Sequence, residues 1–291
     1  MTVEVEFSDL ADLIKKVVEN RPNASAAAPA ANNGNEDAGD AALQAVVPSN
    51  PVWFRGIKSE AYALVPKLHR GATDVEVVRR REARLLARFA ERSMPFWTPG
   101  YPRDDWSFLF SMQHYGAPTR LLDWSENLLV AAYFSALPYD SGEERDQADD
   151  GRPAVWAFEP VRWNSLVLEH IDADLGILTT SDPEIKSWEP RSTEDLAAAR
   201  RLKQPIALYG IHNNPRIVAQ RGTFTIAGSM LEPLEDIATE KYPAENLLTK
   251  YVFTGERSEF AEQMRAVGVQ KSMIFPDLQS LSEEISIMEG W

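Results

Sequence analysis

Between Met112 and Ala136 the chain changes character within a few residues, and that change limits what it can fold into. The first part, Gln113-His114-Tyr115-Gly116-Ala117-Pro118-Thr119-Arg120-Leu121-Leu122-Asp123-Trp124, crowds ionisable and aromatic residues around a glycine and a proline. From Leu128 to Leu137 there is no charged residue. Gly and Pro punctuate a loop, and a segment apolar on all sides must be buried on most of them. The pattern predicts a polar loop clamped to a buried helix, with Asp123 or Ser125 as its N-cap. A loop held on a buried element is a rigid mount for functional groups.

Composition narrows the function classes. The 291 residues carry 44 acidic and 30 basic side chains, a formal charge of −14. That disfavours bulk binding to nucleic acid through a basic surface, while leaving room for a local basic cleft. With no cysteine there is no disulfide, thiolate metal site or Cys nucleophile. No HExxH and no acidic calcium loop are present, so no metal is expected; GxGxxG, the P-loop lysine and GxSxG are absent too. The Met1–Glu6 stretch lacks a secretory pattern. No apolar run approaches the ~20 residues of a membrane span. The expectation is a cytoplasmic protein without membrane association, folded as a single domain over residues 1–291.

Taken in order, Val3, Val5 and Phe7 alternate as a strand, and Ser8 or Asp9 caps a helix carrying Leu10, Leu13, Ile14, Val17 and Val18. Residues 21–50 are rich in Ala, Asn, Pro and Gly and read as a flexible low-complexity insertion, and residues 138–152 as an acidic loop. Strands are expected over 52–56, 154–158, 205–209, 216–220, 223–226 and 247–253. Helices are expected over 76–94, 104–112, 160–170, 194–202, 256–267 and 278–288. Helices gather early and strands late, which predicts an α+β fold, helices mostly in the first half around a central mixed or antiparallel sheet.

Several side chains could carry chemistry. Arg55 stands between an aromatic residue and a glycine at a strand end, where a guanidinium can fork onto a phosphate or form a salt bridge with Asp123. His114 could orient a hydroxyl, act as a base or hold a turn, and Tyr115 could stack on a ring or pack in the core. Arg120 and Asp123 could pair with each other or divide between ligand and scaffold. Arg70, after His69, would add positive charge near Arg55 if the chain turns back. His170 and His212 have no partner at metal spacing.

Phe54-Arg55-Gly56, the Gln113–Trp124 run, Gln220-Arg221-Gly222-Thr223-Phe224 and Phe275-Pro276-Asp277-Leu278, in that order, resemble the FRG domain family. The same pieces are similar to those of ADP-ribosyltransferases. The resemblance implies an enzyme that uses NAD to modify a macromolecule, with a toxin or defence role among those it suggests. Arg55, His114, Asp123 and Gln220 would then be catalytic. Phe54, Arg55, Gly56, His114, Tyr115, Arg120, Gly222 and Thr223 would bind the nucleotide. The sequence departs from the transferase pattern where a Glu is usual: Arg216–Arg221 holds no acid. A nucleotide- or partner-binding module without turnover, and a polynucleotide-processing enzyme with His114 as base, are the alternatives.

Overall fold

The computed structural model describes residues 2–21, 50–97, 103–136, 151–171, 175–191, 204–211 and 214–291. Nearly all of the expected insertion at 21–50, the acidic loop up to residue 150, the helix expected over 194–202 and His212 lie outside the described residues. Among the described residues seven strands form one sheet: β1 (Val3–Phe7), β2 (Trp53–Ile57), β3 (Leu121–Ser125), β4 (Ala154–Phe158), β5 (Ile206–Leu208), β6 (Gly222–Ile226) and β7 (Leu248–Phe253). Their order is β1-β7-β4-β2-β3-β6-β5. β1 runs parallel to β7, and the other ladders are antiparallel. The fold is α+β around a mixed sheet. Its helices are spread along the chain rather than gathered in its first half.

The α-helices among the described residues are α1 (Leu10–Glu19), α2 (Val75–Ser93), α3 (Asp105–His114), α4 (Leu128–Ala136), α5 (Pro160–Val167), α6 (Pro215–Ala219), α7 (Leu234–Lys241), α8 (Arg257–Ala266), α9 (Lys271–Ile274) and α10 (Leu278–Met288). Carboxylate caps start many of them. Asp9, Asp74, Asp104 and Asp277 each accept a backbone N–H of the first turn of α1, α2, α3 and α10. Such caps satisfy an orphan donor and place negative charge at the positive end of the helix dipole.

Both faces of the sheet are covered, and β4 shows why its sequence lacks an alternating pattern. Every residue of Ala154–Phe158 is buried. Ala154, Trp156 and Phe158 join the core that holds Trp53, Trp124 and Trp163. Val155 and Ala157 join the core of Phe7, Leu13, Val130 and Phe260. A strand with two buried faces reads as one continuous apolar run.

Two expectations from the central run change. Half of the stretch taken as a loop is regular structure, because α3 extends to His114 and Leu121–Ser125 form β3. Asp123 and Ser125 are strand residues, and Asn127 accepts the Leu129 N–H at the start of α4 instead. The polar side chains of β3 hid its extended character. The charge-free α4 does pack as a buried helix, and it lies against β2 at Gly56. A Cβ on Gly56 would stand 1.8 Å from the Ala131 carbonyl oxygen. This glycine is required by contact between two backbones, not by its own dihedral angles. Gly56→Ala is expected to lose about 3 kcal/mol of stability, as overpacking of a rigid contact does. Urea titration would show it as a lower midpoint with an unchanged m-value.

Candidate functional site

β2 and β3 are joined at one pair, Phe54 opposite Ser125. Continuing that register would bring Gly56 opposite Asp123, but the ladder stops and the strands part. Arg55 spans the parting. Its Nη1 donates to the backbone carbonyl of Asp123 at 2.6 Å and lies 3.8 Å from the Asp123 Oδ2. A side chain thus bridges where strand backbone would pair. The Arg55 side chain keeps 21% of its surface open. Burial pulls its pKa below the usual guanidinium value; Asp123 opposes that shift and the nearby Arg70 adds to it.

A cleft of about 430 Å³ opens at this parting, lined by residues of β2, β3, β6 and the ends of α3, α4 and α6. Four cationic side chains line it, Arg55, Lys58, Arg70 and Arg216, against one carboxylate among the described residues, Asp123. In a chain of net charge −14 that is a local reversal of sign. It makes the cleft receptive to anions. Tyr62 and Phe134 add aromatic surface.

Asp123 is held in place although its side chain is 57% exposed. Gln113 Nε2 donates to Asp123 Oδ2 at 2.7 Å, and Gln113 Oε1 in turn accepts from the Thr119 hydroxyl. His114 sits beside this network. Asn214 Nδ2 lies 2.8 Å from His114 Nε2. An amide nitrogen only donates, so Nε2 accepts and the ring proton is on Nδ1. Burial is the main cause that lowers the His114 pKa, and the Arg216 charge lowers it further while Asp123 acts against both. Both influences favour the neutral imidazole of His114.

The Arg216 side chain escaped the sequence reading. Residues 216–220 were expected as a strand, but Pro215–Ala219 form the short helix α6. Asn214 followed by Pro215 was the available clue, an N-cap and then a proline at the first helical position. The Asn214 side chain does accept the Arg216 N–H. The Arg216 guanidinium lies 4.3 Å above the Phe275 ring. Burial lowers its pKa, opposed first by Asp123 and then by Asp277. Gln220 is the C-cap of α6 rather than a strand residue. It still lines the cleft, while its Nε2 donates to the Ile274 carbonyl at 3.2 Å.

Of the residues singled out from sequence, Phe54, Arg55, Gly56, His114, Asp123, Gln220 and Gly222 line this one cleft. Three do not. Tyr115 is 75% exposed and packs edge-on against His114. Thr223 is buried and paired with Trp124 in the β3–β6 register, while its neighbours Gly222 and Phe224 line the cleft. Arg120 is scaffold. Its Nε donates to both carboxylate oxygens of Glu82 at 2.8 and 2.9 Å, Nη1 to the Ala227 carbonyl and Nη2 to the Trp188 carbonyl. That buried guanidinium ties α2, β3 and the segment at Trp188 together, and it does not line the cleft.

Residues 50–144, roughly a third of the chain, match the family model of the FRG domain. The match takes in Arg55, His114 and Asp123, whereas Arg216, Gln220 and Gly222 lie beyond it. A search of curated proteins and a search of solved structures each found no match. No group of three or more His, Asp or Glu among the described residues is placed to hold a metal ion. No helix among them is long and apolar enough to cross a membrane.

The scaffold around Arg120 generates two expectations. Arg120→Met leaves the Glu82 carboxylate buried and unpaired, and should cost about 3–5 kcal/mol in chemical denaturation. Arg120→Met combined with Glu82→Leu should recover much of that loss. His69 lies in the same region, almost fully buried. Burial, then the Arg120 charge, push its imidazole down to about 4, partly offset by a backbone hydrogen bond at Met230. The unfolded chain protonates this group near the ordinary value of about 6.5, whereas the native state resists it. Its contribution is thus complete above about pH 6.5 and is lost as pH falls toward 4, on the order of 3 kcal/mol in all. NMR titration of His69, with stability measured across that window for wild type and His69→Gln, checks the value and the slope.

Proposed function

We infer, for a chain that carries an FRG domain over residues 50–144, an ADP-ribosyltransferase-like enzyme that takes NAD into the cleft at the β2–β3 parting. The observation that carries this reading is the convergence of Arg55, Arg70 and Arg216 with aromatic walls around the Asp123 carboxylate. NAD presents that combination in complement: phosphates for guanidinium forks, flat rings for aromatic faces, and a ribose that becomes positive as its bond to nicotinamide breaks. Arg55 anchors phosphate, since its planar donors are already oriented by the Asp123 carbonyl. Asp123 supplies the negative charge facing the ribose. His114 becomes able to accept the proton released by the attacking group once a bound target displaces the Asn214 amide from its Nε2, while the Gln220 amide can bond a ribose hydroxyl. In balance, the glycosidic C–N bond breaks, nicotinamide leaves with the bonding pair, and the ribosyl carbon bonds a nucleophile that loses its proton.

A second reading has an observation of its own. The Asp123 carboxylate is already engaged by Gln113 and faces Arg55, and Gln220-Arg221-Gly222 brings no acid to the start of β6. That arrangement suits a nucleotide-binding module without turnover. Incubation of the protein with labelled NAD and cell lysate separates the two. Nicotinamide release and a labelled macromolecule are expected from wild type. Asp123→Asn should lower the rate roughly 10²–10³-fold, as loss of one electrostatic stabiliser does. NAD that raises the melting temperature but is recovered intact selects the binding module. Neither a thermal shift nor release would sink both.

A further inference from the structure

We propose that Arg216, supported on the Phe275 ring, is the residue that makes this cleft select a diphosphate over a monophosphate. The proposal rests on the cleft being a nucleotide site and is independent of turnover. Three features of Arg216 point to it. First, its place: Arg55 comes from β2, Asp123 from the neighbouring β3, and Arg216 from the helix that leads into β6, the next strand beyond β3. The two arginines therefore approach the carboxylate from opposite flanks, and both feel its charge.

Second, its preparation. The guanidinium is stacked 4.3 Å over Phe275, and Phe275 is itself fixed by ring contacts with Tyr133 and Phe134. A planar cation on a fixed aromatic face has lost little freedom still to lose on binding. Third, the charge pattern. Arg70 lies near enough to Arg55 to act on its charge, whereas the charges that act on Arg216 are those of Asp123 and Asp277, and all three arginines line the cleft. A single phosphate can satisfy the Arg55 end. A second, linked phosphate is needed to engage Arg216 as well.

Calorimetric titration of ADP and of AMP into the full-length protein tests this. Wild type should bind ADP roughly tenfold more tightly than AMP, the worth of one added charge-assisted contact. R216Q should bring the two affinities within about threefold of each other while AMP binding stays nearly as in wild type, and R55Q should weaken both ligands. R216K, which keeps the charge but loses the planar stack, should retain only part of the preference. It decides the matter if R216Q does not fold. The proposal is overturned if wild type binds neither nucleotide or shows no preference for ADP. It is also overturned if R216Q weakens AMP and ADP by the same factor, or if the Arg216 variants keep the wild-type ratio. An ADP preference that depends on Arg216 in a protein unable to cleave NAD leaves this inference standing and removes the transferase reading alone. NAD cleavage with an ADP preference indifferent to Arg216 does the reverse.

Discussion

The site depends on one place where a sheet stops pairing. β2 and β3 share a single register pair and then separate, and the Arg55 guanidinium bridges them through the Asp123 carbonyl. Backbone polar groups inside a protein must find partners, so a strand edge left open within a sheet invites a donor. An arginine can fill that role and still present unused N–H groups outward, because it carries five donors in a fixed fork. On the other side of the same strand, Gly56 lets α4 approach until no side chain could fit between them. The two neighbours thus have complementary jobs: one residue opens a cleft and the next seals its wall.

Electrostatics at the cleft runs against the rest of the molecule. A net negative charge repels polyanions at a distance, yet four cationic groups meet here around Asp123. Burial disfavours the charge on Arg55 and Arg216, and in both cases Asp123 is the first opposing influence. Asp123 therefore keeps two partly desolvated cations tolerable. A ligand anion would take over that duty with more charge and better geometry. The same carboxylate is fixed by Gln113, which Thr119 holds in turn, both from the conspicuous central run.

Arg120 shows how one motif divides its labour. It stands three residues from Asp123, yet its guanidinium bonds Glu82 and two backbone carbonyls and stays out of the cleft. Removing charge from water is costly unless the charge is paired and hydrogen-bonded, and here the carboxylate of Glu82 and two carbonyls supply partners to all three nitrogens. The run thus contributes both the cleft's carboxylate and the buried clasp that positions the strand bearing it.

How much of this was legible depended on whether the deciding partner was near in sequence. The sequence by itself determined most strands and long helices, since periodicity and capping are local: Val3–Phe7 and Leu278–Met288 fall where the pattern puts them. It also singled out Arg55, His114 and Asp123 by their chemistry, and Gln220 and Gly222 through the family resemblance. Only the tertiary structure decided that these side chains share one cleft, that Arg120 faces a glutamate 38 residues away, and that Arg216 joins them from a helix whose apolar residues read as a strand. The reason is physical: which groups meet across a sheet is set by strand order and by where pairing ends, and neither leaves a mark on the residues close to it in the chain.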